Sequence, residues 1–143
     1  MAGPASAAEQ PSNAQLRAAI DCRDVMFDSD PREYNLWAVG HGGRTWGQIW
    51  IDPMGGGFYD VCVHNGVKDH AGDGRAAIAF ARFEWWDGSR WIYEPWYVFS
   101  RNDGVLADPT YLNGWFVPPL RNFKMGVCLG PATAPGKCTW EDV

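Results

Sequence analysis

The chain has no run of about 20 apolar residues, the length a helix needs to cross a bilayer, so no membrane span is expected. It has no long helical pattern alternating with strands, which argues against a parallel α/β sheet. Basic residues are in the minority, 12 against 17 acidic, for a net charge of −5. A surface of that sign repels phosphate backbones, and no nucleic-acid partner is expected. There is no Cys-x-x-Cys pair and no histidine at finger spacing from a cysteine, so a structural zinc site is not expected. There is no Gly-x-Ser-x-Gly elbow, and neither Ser89 nor Ser100 has a histidine beside it. The glycine-rich DPMGGG lacks the Lys and Ser/Thr of a phosphate loop and precedes a strand-like run. The first residues, MAGPASAAEQPSNAQ, carry neither the basic region nor the apolar run of an intact signal peptide. They read instead as the start of a mature chain after signal cleavage, with Met1 as an added initiator.

What the chain does have is aromatic surface. Nine tryptophans in 143 residues is several times the usual share. With 17 Gly and 10 Pro, the pattern is one of short strands and many turns. From Tyr34 onward, YNLWAV, RTWGQIWI, FYDVCVHN, AAIAFARFEWW, RWIYEPWYVFS, GVLA and FKMGVCLG are rich in Val, Ile, Trp, Tyr and Phe and are separated by turn residues. Seven such strands in a chain of this size predict an all-β, antiparallel β-sandwich, Ig-like or jelly-roll-like. Residues 1–11 read as a flexible N-terminal arm and residues 12–143 as a single domain. Ser12 to Gln15 is a capping-box pattern before Leu16 and Ile20, so residues 13–23 read either as a short helix or as an extended arm. Residues 101–122, rich in Pro and Gly, read as a long loop or a lid over one end of the sandwich.

The four cysteines are Cys22, Cys62, Cys128 and Cys138. An even count in a small Trp-rich domain suits an oxidising compartment. Of the three pairings, Cys128–Cys138 is favoured because CLGPATAPGKC reads as a loop closing on itself, which leaves Cys22–Cys62.

The stretch from Ala76 to Ser100 holds the densest aromatic pattern. A two-residue Gly88-Ser89 loop sets Asp87 opposite Arg90, Trp86 opposite Trp91, Glu84 opposite Tyr93 and Phe80 opposite Tyr97. One face then carries Ile78, Phe80, Arg82, Glu84, Trp86, Trp91, Tyr93, Tyr97 and Phe99. The other carries Ala77, Ala79, Ala81, Phe83, Trp85, Ile92, Glu94, Trp96 and Val98, and is expected to face the core. Pro95 cannot donate to a ladder, so its strand is expected at an edge or bulged there. Most tryptophans are expected in the core, with Trp86 and Trp91 exposed.

Candidate chemistry is sparse. Asp69 and Asp73 occupy positions 1 and 5 of a calcium-loop spacing, but Ala71 and Phe80 stand where ligands are needed, so they are weak candidates only. His41, His64 and His70 are scattered, and His41-Gly42-Gly43 reads as a turn. Glu84 and Glu94 point to opposite faces and cannot flank one glycosidic bond. No cofactor is implied.

VCVHNGVKDHAGDGRAAIAFARF, with the later NFKMGVCLGPATAPGKCTW and its Val127-Cys128-Leu129 strand and Cys138-Thr139-Trp140, resembles a group of small secreted actinomycete proteins over residues 44–140. That resemblance implies a disulfide-bonded β-sandwich and export, and no activity. The sequence therefore predicts a secreted, non-catalytic interaction module that binds a protein partner through Trp86, Trp91, Tyr93, Tyr97, Glu84 and Arg82, through its N-terminal arm, or both. The alternatives are a polysaccharide-binding module with Trp86, Trp91 and Tyr93 as a stacking platform, and a small secreted hydrolase.

Overall fold

The structure is a computed structural model that describes residues 17–18, 21–25 and 30–142. The arm expected over residues 1–11 lies outside these. The elements are β1 (Arg17–Ala18), α1 (Cys22–Val25), β2 (Arg32–Trp37), β3 (Gly43–Gly55), β4 (Phe58–Asp69), β5 (Ala77–Trp86), β6 (Trp91–Asn102), β7 (Thr110–Leu129) and β8 (Gly136–Trp140). Every pairing is antiparallel, in the order β2-β3-β4-β7-β5-β6, with β1 and β8 also on β7. The fold is all-β and sandwich-like. Of the segment read as helix or arm, residues 17–18 are extended and pair with Phe116 and Trp115, and Cys22–Val25 are helical.

The expected loop over residues 101–122 is a correction. Most of it belongs to β7, a 20-residue strand that serves both layers. Its first half pairs with β4 from Thr110 to Leu120, and its second half pairs with β5 from Leu120 to Leu129. The change of layer falls at residues 117–123, where the register shifts on both sides. Pro118 and Pro119 sit at this bend, where their missing N–H groups cost no ladder bond. The front layer is β2-β3-β4 with the start of β7, and the back layer is β6-β5 with the end of β7 and β8. GVLA, expected as a strand, is a turn instead. Lys68 Nζ donates to the carbonyls of Gly104, Val105 and Ala107 at 3.0, 2.8 and 2.6 Å, so the backbone wraps an ammonium.

In the β5–β6 hairpin the turn-set register holds from Trp86↔Trp91 to Phe83↔Glu94. It then shifts between Ala81 and Phe83, so that Pro95 and Trp96 together oppose Arg82. Adding one residue inverts the faces that follow, until a second shift between Ala79 and Phe80 restores them at Ser100. Phe80 pairs with Val98 and Ala81 with Tyr97. Tyr97 and Phe99, expected outside, are therefore buried in the core, while Trp96 and Val98, expected inside, lie on the back layer's outer surface. Upstream, Ala77, Ala79, Ala81, Phe83 and Trp85 face the core, and Trp85 Nε1 donates to Glu94 Oε1 at 3.2 Å.

The core is filled by phenylalanine rather than tryptophan. Phe83, Phe116, Phe123 and Tyr97 pack ring to ring across the layers at 5.1–5.8 Å. One polar network lies inside. Asn65 Nδ2 donates to Tyr34 Oη and Thr45 Oγ1, and Ser100 Oγ donates to Asn65 Oδ1, joining β2, β3 and β4 to β6. Burial pushes the Tyr34 hydroxyl well above the usual phenol range. Near the chain's end, buried Glu141 accepts both a bidentate pair from Arg32 and the Met125 N–H.

Each disulfide pins a cover onto an outer face. Cys22–Cys62 holds α1 over Trp50 and Trp115 on the front layer. Cys128–Cys138 holds β8 and its loop over Ile78 and Phe80 on the back layer. Ile78 and Phe80 are thus on the expected outward face yet fully buried.

Candidate binding faces

Of the nine tryptophans only Trp50 and Trp85 are buried, and Trp96 is 46% exposed. The other six are half-buried on the two outer faces, contrary to the expectation that most fill the core. Arginines organise them. On the back face the Arg82 guanidinium lies 4.0 Å from the Trp140 ring centre and 5.5 Å from that of Trp96, and the two indoles meet edge-on at 5.6 Å. Gly126 makes this possible, because a side chain there would run into the Trp140 ring. A cation held between two ring faces is attracted by both, and the bulky side chains are fixed in place before any partner arrives.

Trp86 and Trp91 meet edge-on at 5.5 Å at the hairpin end, with Phe58 packed on both. Arg121 covers Trp91 at 4.0 Å and forms an ion pair with Glu84 at 2.7 Å. The hydrogen bonds from Arg121 and Asn122 hold the Glu84 carboxyl below its usual range. These two indoles are therefore half-buried and steeply inclined, not a flat platform. The structure brings Arg82, Glu84, Trp86, Trp91 and Tyr93 to one face and places Tyr97 inside. It adds Trp96, Trp140 and Arg121, which local sequence pattern does not select. Tyr93 stands 60% exposed beside them.

The front layer's outer face has no counterpart among the sequence candidates. Its open half carries Trp37, Arg44 and Trp46, with the Arg44 guanidinium 5.3 and 5.0 Å from the two ring centres and its Nε donating to Asn35 Oδ1. Trp46 lies across Gly66, where a Cβ would meet the ring at 2.6 Å, and reaches Tyr111 edge-on at 5.9 Å. A groove of about 440 Å³ lies here, lined by Glu33, Asn35, Arg44, Trp46, Gln48 and His64 among others.

The weak calcium candidates are otherwise engaged. Asp69 accepts N–H groups from Ala71 and Gly104, one on each oxygen, and Asp73 accepts the Arg75 N–H. His41 and His70 flank Trp37, and His64 stands apart on the groove. Among the described residues no three His, Cys, Asp or Glu side chains gather as metal ligands, and no helix is long and apolar enough to cross a membrane.

One pair of carboxylates faces the wrong way for stability. Asp52 and Asp60 are directly opposite on β3 and β4. Partial burial, and then the Asp52 charge, raise the Asp60 carboxyl above its usual range. A raised folded-state value means the folded form binds the proton more tightly, so stability falls as pH rises from the ordinary Asp range through the raised value. Asp60→Asn is expected to stabilise the fold at pH 7 by about 0.5 kcal/mol, as for a like-charged cross-strand pair screened by solvent. Urea unfolding at pH 7 and at about pH 3 checks this, and a gain persisting unchanged in acid contradicts it.

The fold and its faces define a class: a disulfide-bonded antiparallel β-sandwich carrying arginine-laddered tryptophans on both outer surfaces. No protein-family model matches the chain, and no solved structure matches it. Over 47 residues it is 38% identical to snaclec botrocetin subunit beta of Bothrops jararaca. That stretch is 33% of this chain and 37% of the snake protein, so the match spans little more than a third of that curated protein's length.

Proposed function

We propose that this protein is an exported, non-catalytic module that binds a protein partner through its back face. The observation that carries the reading is the pair Tyr93 and Trp96, 60% and 46% exposed, beside the Arg82–Trp140 stack. Trp, Tyr and Arg are the residues that dominate interface energies, and Arg82, Trp96 and Trp140 are already held against one another. Arg82 and Lys124 are register partners on this surface, and its carboxylate, Glu84, is spent on Arg121 and Asn122. The face thus offers cationic and aromatic groups within a chain of net charge −5, suited to a partner with exposed acidic groups. Two disulfides support export, and the 47-residue match is to a protein named as a subunit.

The test is capture from the culture supernatant of the native host, with Tyr93→Ala and Trp96→Ala beside the parent. Each substitution is expected to weaken the captured complex by roughly 30-fold, the scale of a hot-spot residue. A partner retained equally by both variants places the interface elsewhere.

A further inference from the structure

We infer that the groove on the front face binds a neutral, hydroxyl-rich oligosaccharide. The site shares no residue with the back face and stands independently of the protein-binding reading. The register aligns Glu33 with Gln48, Gln48 with His64, and His64 with Asn113, giving one row across β2, β3, β4 and β7. Three inter-strand spacings make the row about 14 Å long, enough for several sugar units rather than one small molecule. None of these four side chains makes a hydrogen bond to another described residue, whereas the buried Asn65, Thr45 and Ser100 are all engaged. The row is unspent.

Its chemistry fits hydroxyl groups. Carboxamides both donate and accept, as each sugar hydroxyl does, an imidazole adds a ring N–H donor, and a carboxylate accepts from two. The flanking row, Asn35↔Trp46↔Gly66↔Tyr111, supplies apolar ring surface for the C–H face of a pyranose. On the other side the Cys22–Cys62 bridge with Trp50 and Trp115 forms a wall. The groove of about 440 Å³ is within the range of ligand sites and adjoins a smaller recess that shares Gln48 and His64. Arg44 is balanced by Glu33, and Arg23 in the recess by Asp21, so neither an acidic nor a basic ligand is favoured. Arg44 is also bonded to Asn35 and wedged between two indoles, so this wall is formed in advance.

The experiment measures retention on immobilised cello-, xylo-, chito- and malto-oligosaccharides, and then titration calorimetry with whichever series binds. The parent chain is expected to bind at least one series. A Gln48→Ala/His64→Ala double variant is expected to bind it roughly 30-fold more weakly with an unchanged melting temperature, because neither side chain supports the fold. Tyr93→Ala is expected to bind as the parent does, which separates this site from the back face. Failure of the parent on all four series, or a double variant that binds at full strength, overturns the inference.

Discussion

Gly47→Ala is expected to destabilise the fold by about 3–4 kcal/mol. Gly47 has φ of 155° and pairs with Tyr34 on one side and Asn65 on the other. An added methyl would overlap the His64 carbonyl and come within 2.9 Å of the Tyr34 hydroxyl. Neither neighbour can yield cheaply: the first is backbone of a central strand, and the second belongs to the buried Asn65 network. Overpacking of a closed site costs roughly 1–3 kcal/mol, and the strained backbone adds about 1. Gly56 is the control. Its φ is 64°, but a Cβ there would meet nothing within 4 Å, so Gly56→Ala should cost only about 1 kcal/mol. Urea unfolding of the oxidised proteins measures both, and near-equal losses would show that β3 and β4 separate to admit the methyl.

Asn65→Ala is expected to cost about 3 kcal/mol. Asn65 is fully buried, and its amide bonds side chains on three other strands at 2.6–2.8 Å. Each bond is worth about 1 kcal/mol net, and removing the hub strands the Tyr34 and Ser100 hydroxyls away from water, which adds a desolvation cost. Ser100→Ala loses one bond and should cost about 1 kcal/mol. The same burial that raises the Tyr34 phenol predicts alkaline sensitivity. The unfolded chain ionises its tyrosines first, so stability is held below about pH 10 and declines above it. If Asn65→Ala melts within a few degrees of the parent, the two layers are not joined by this network.

How far local pattern reaches is clearest in the β5–β6 hairpin. The Asp87-Gly88-Ser89 turn sets Trp86 against Trp91 and Glu84 against Tyr93, and alternation alone separates Ala79, Phe83 and Trp85 from Arg82 and Glu84. Pro95 signals an irregularity in the same stretch. It does not say that Trp96 is the extra residue, and that single shift moves Tyr97 inward and Trp96 outward. The proline- and glycine-rich segment after Ser100 reads as loop because those residues usually end strands. In β7 they serve the bend between two layers, and a bend needs the second layer to exist. The front groove had no local signal at all. Glu33, Gln48, His64 and Asn113 come from four separate strands, and only pairing sets them in one row.

The sequence by itself determined the all-β class, since strand-forming residues between turn signals leave the backbone few other ways to satisfy its hydrogen bonds while burying apolar side chains. Tertiary structure decided the rest, including which way Trp96, Tyr97 and Phe99 face. Phenylalanines fill the interior because they have no polar atom to satisfy there. Arginine stacks hold tryptophans on the two surfaces, where a guanidinium lies over the indole faces. That partition depends on bulges, on a strand shared between layers and on glycines such as Gly66 and Gly126 beneath the indoles. Each acts between residues far apart in the chain, beyond the reach of any local pattern.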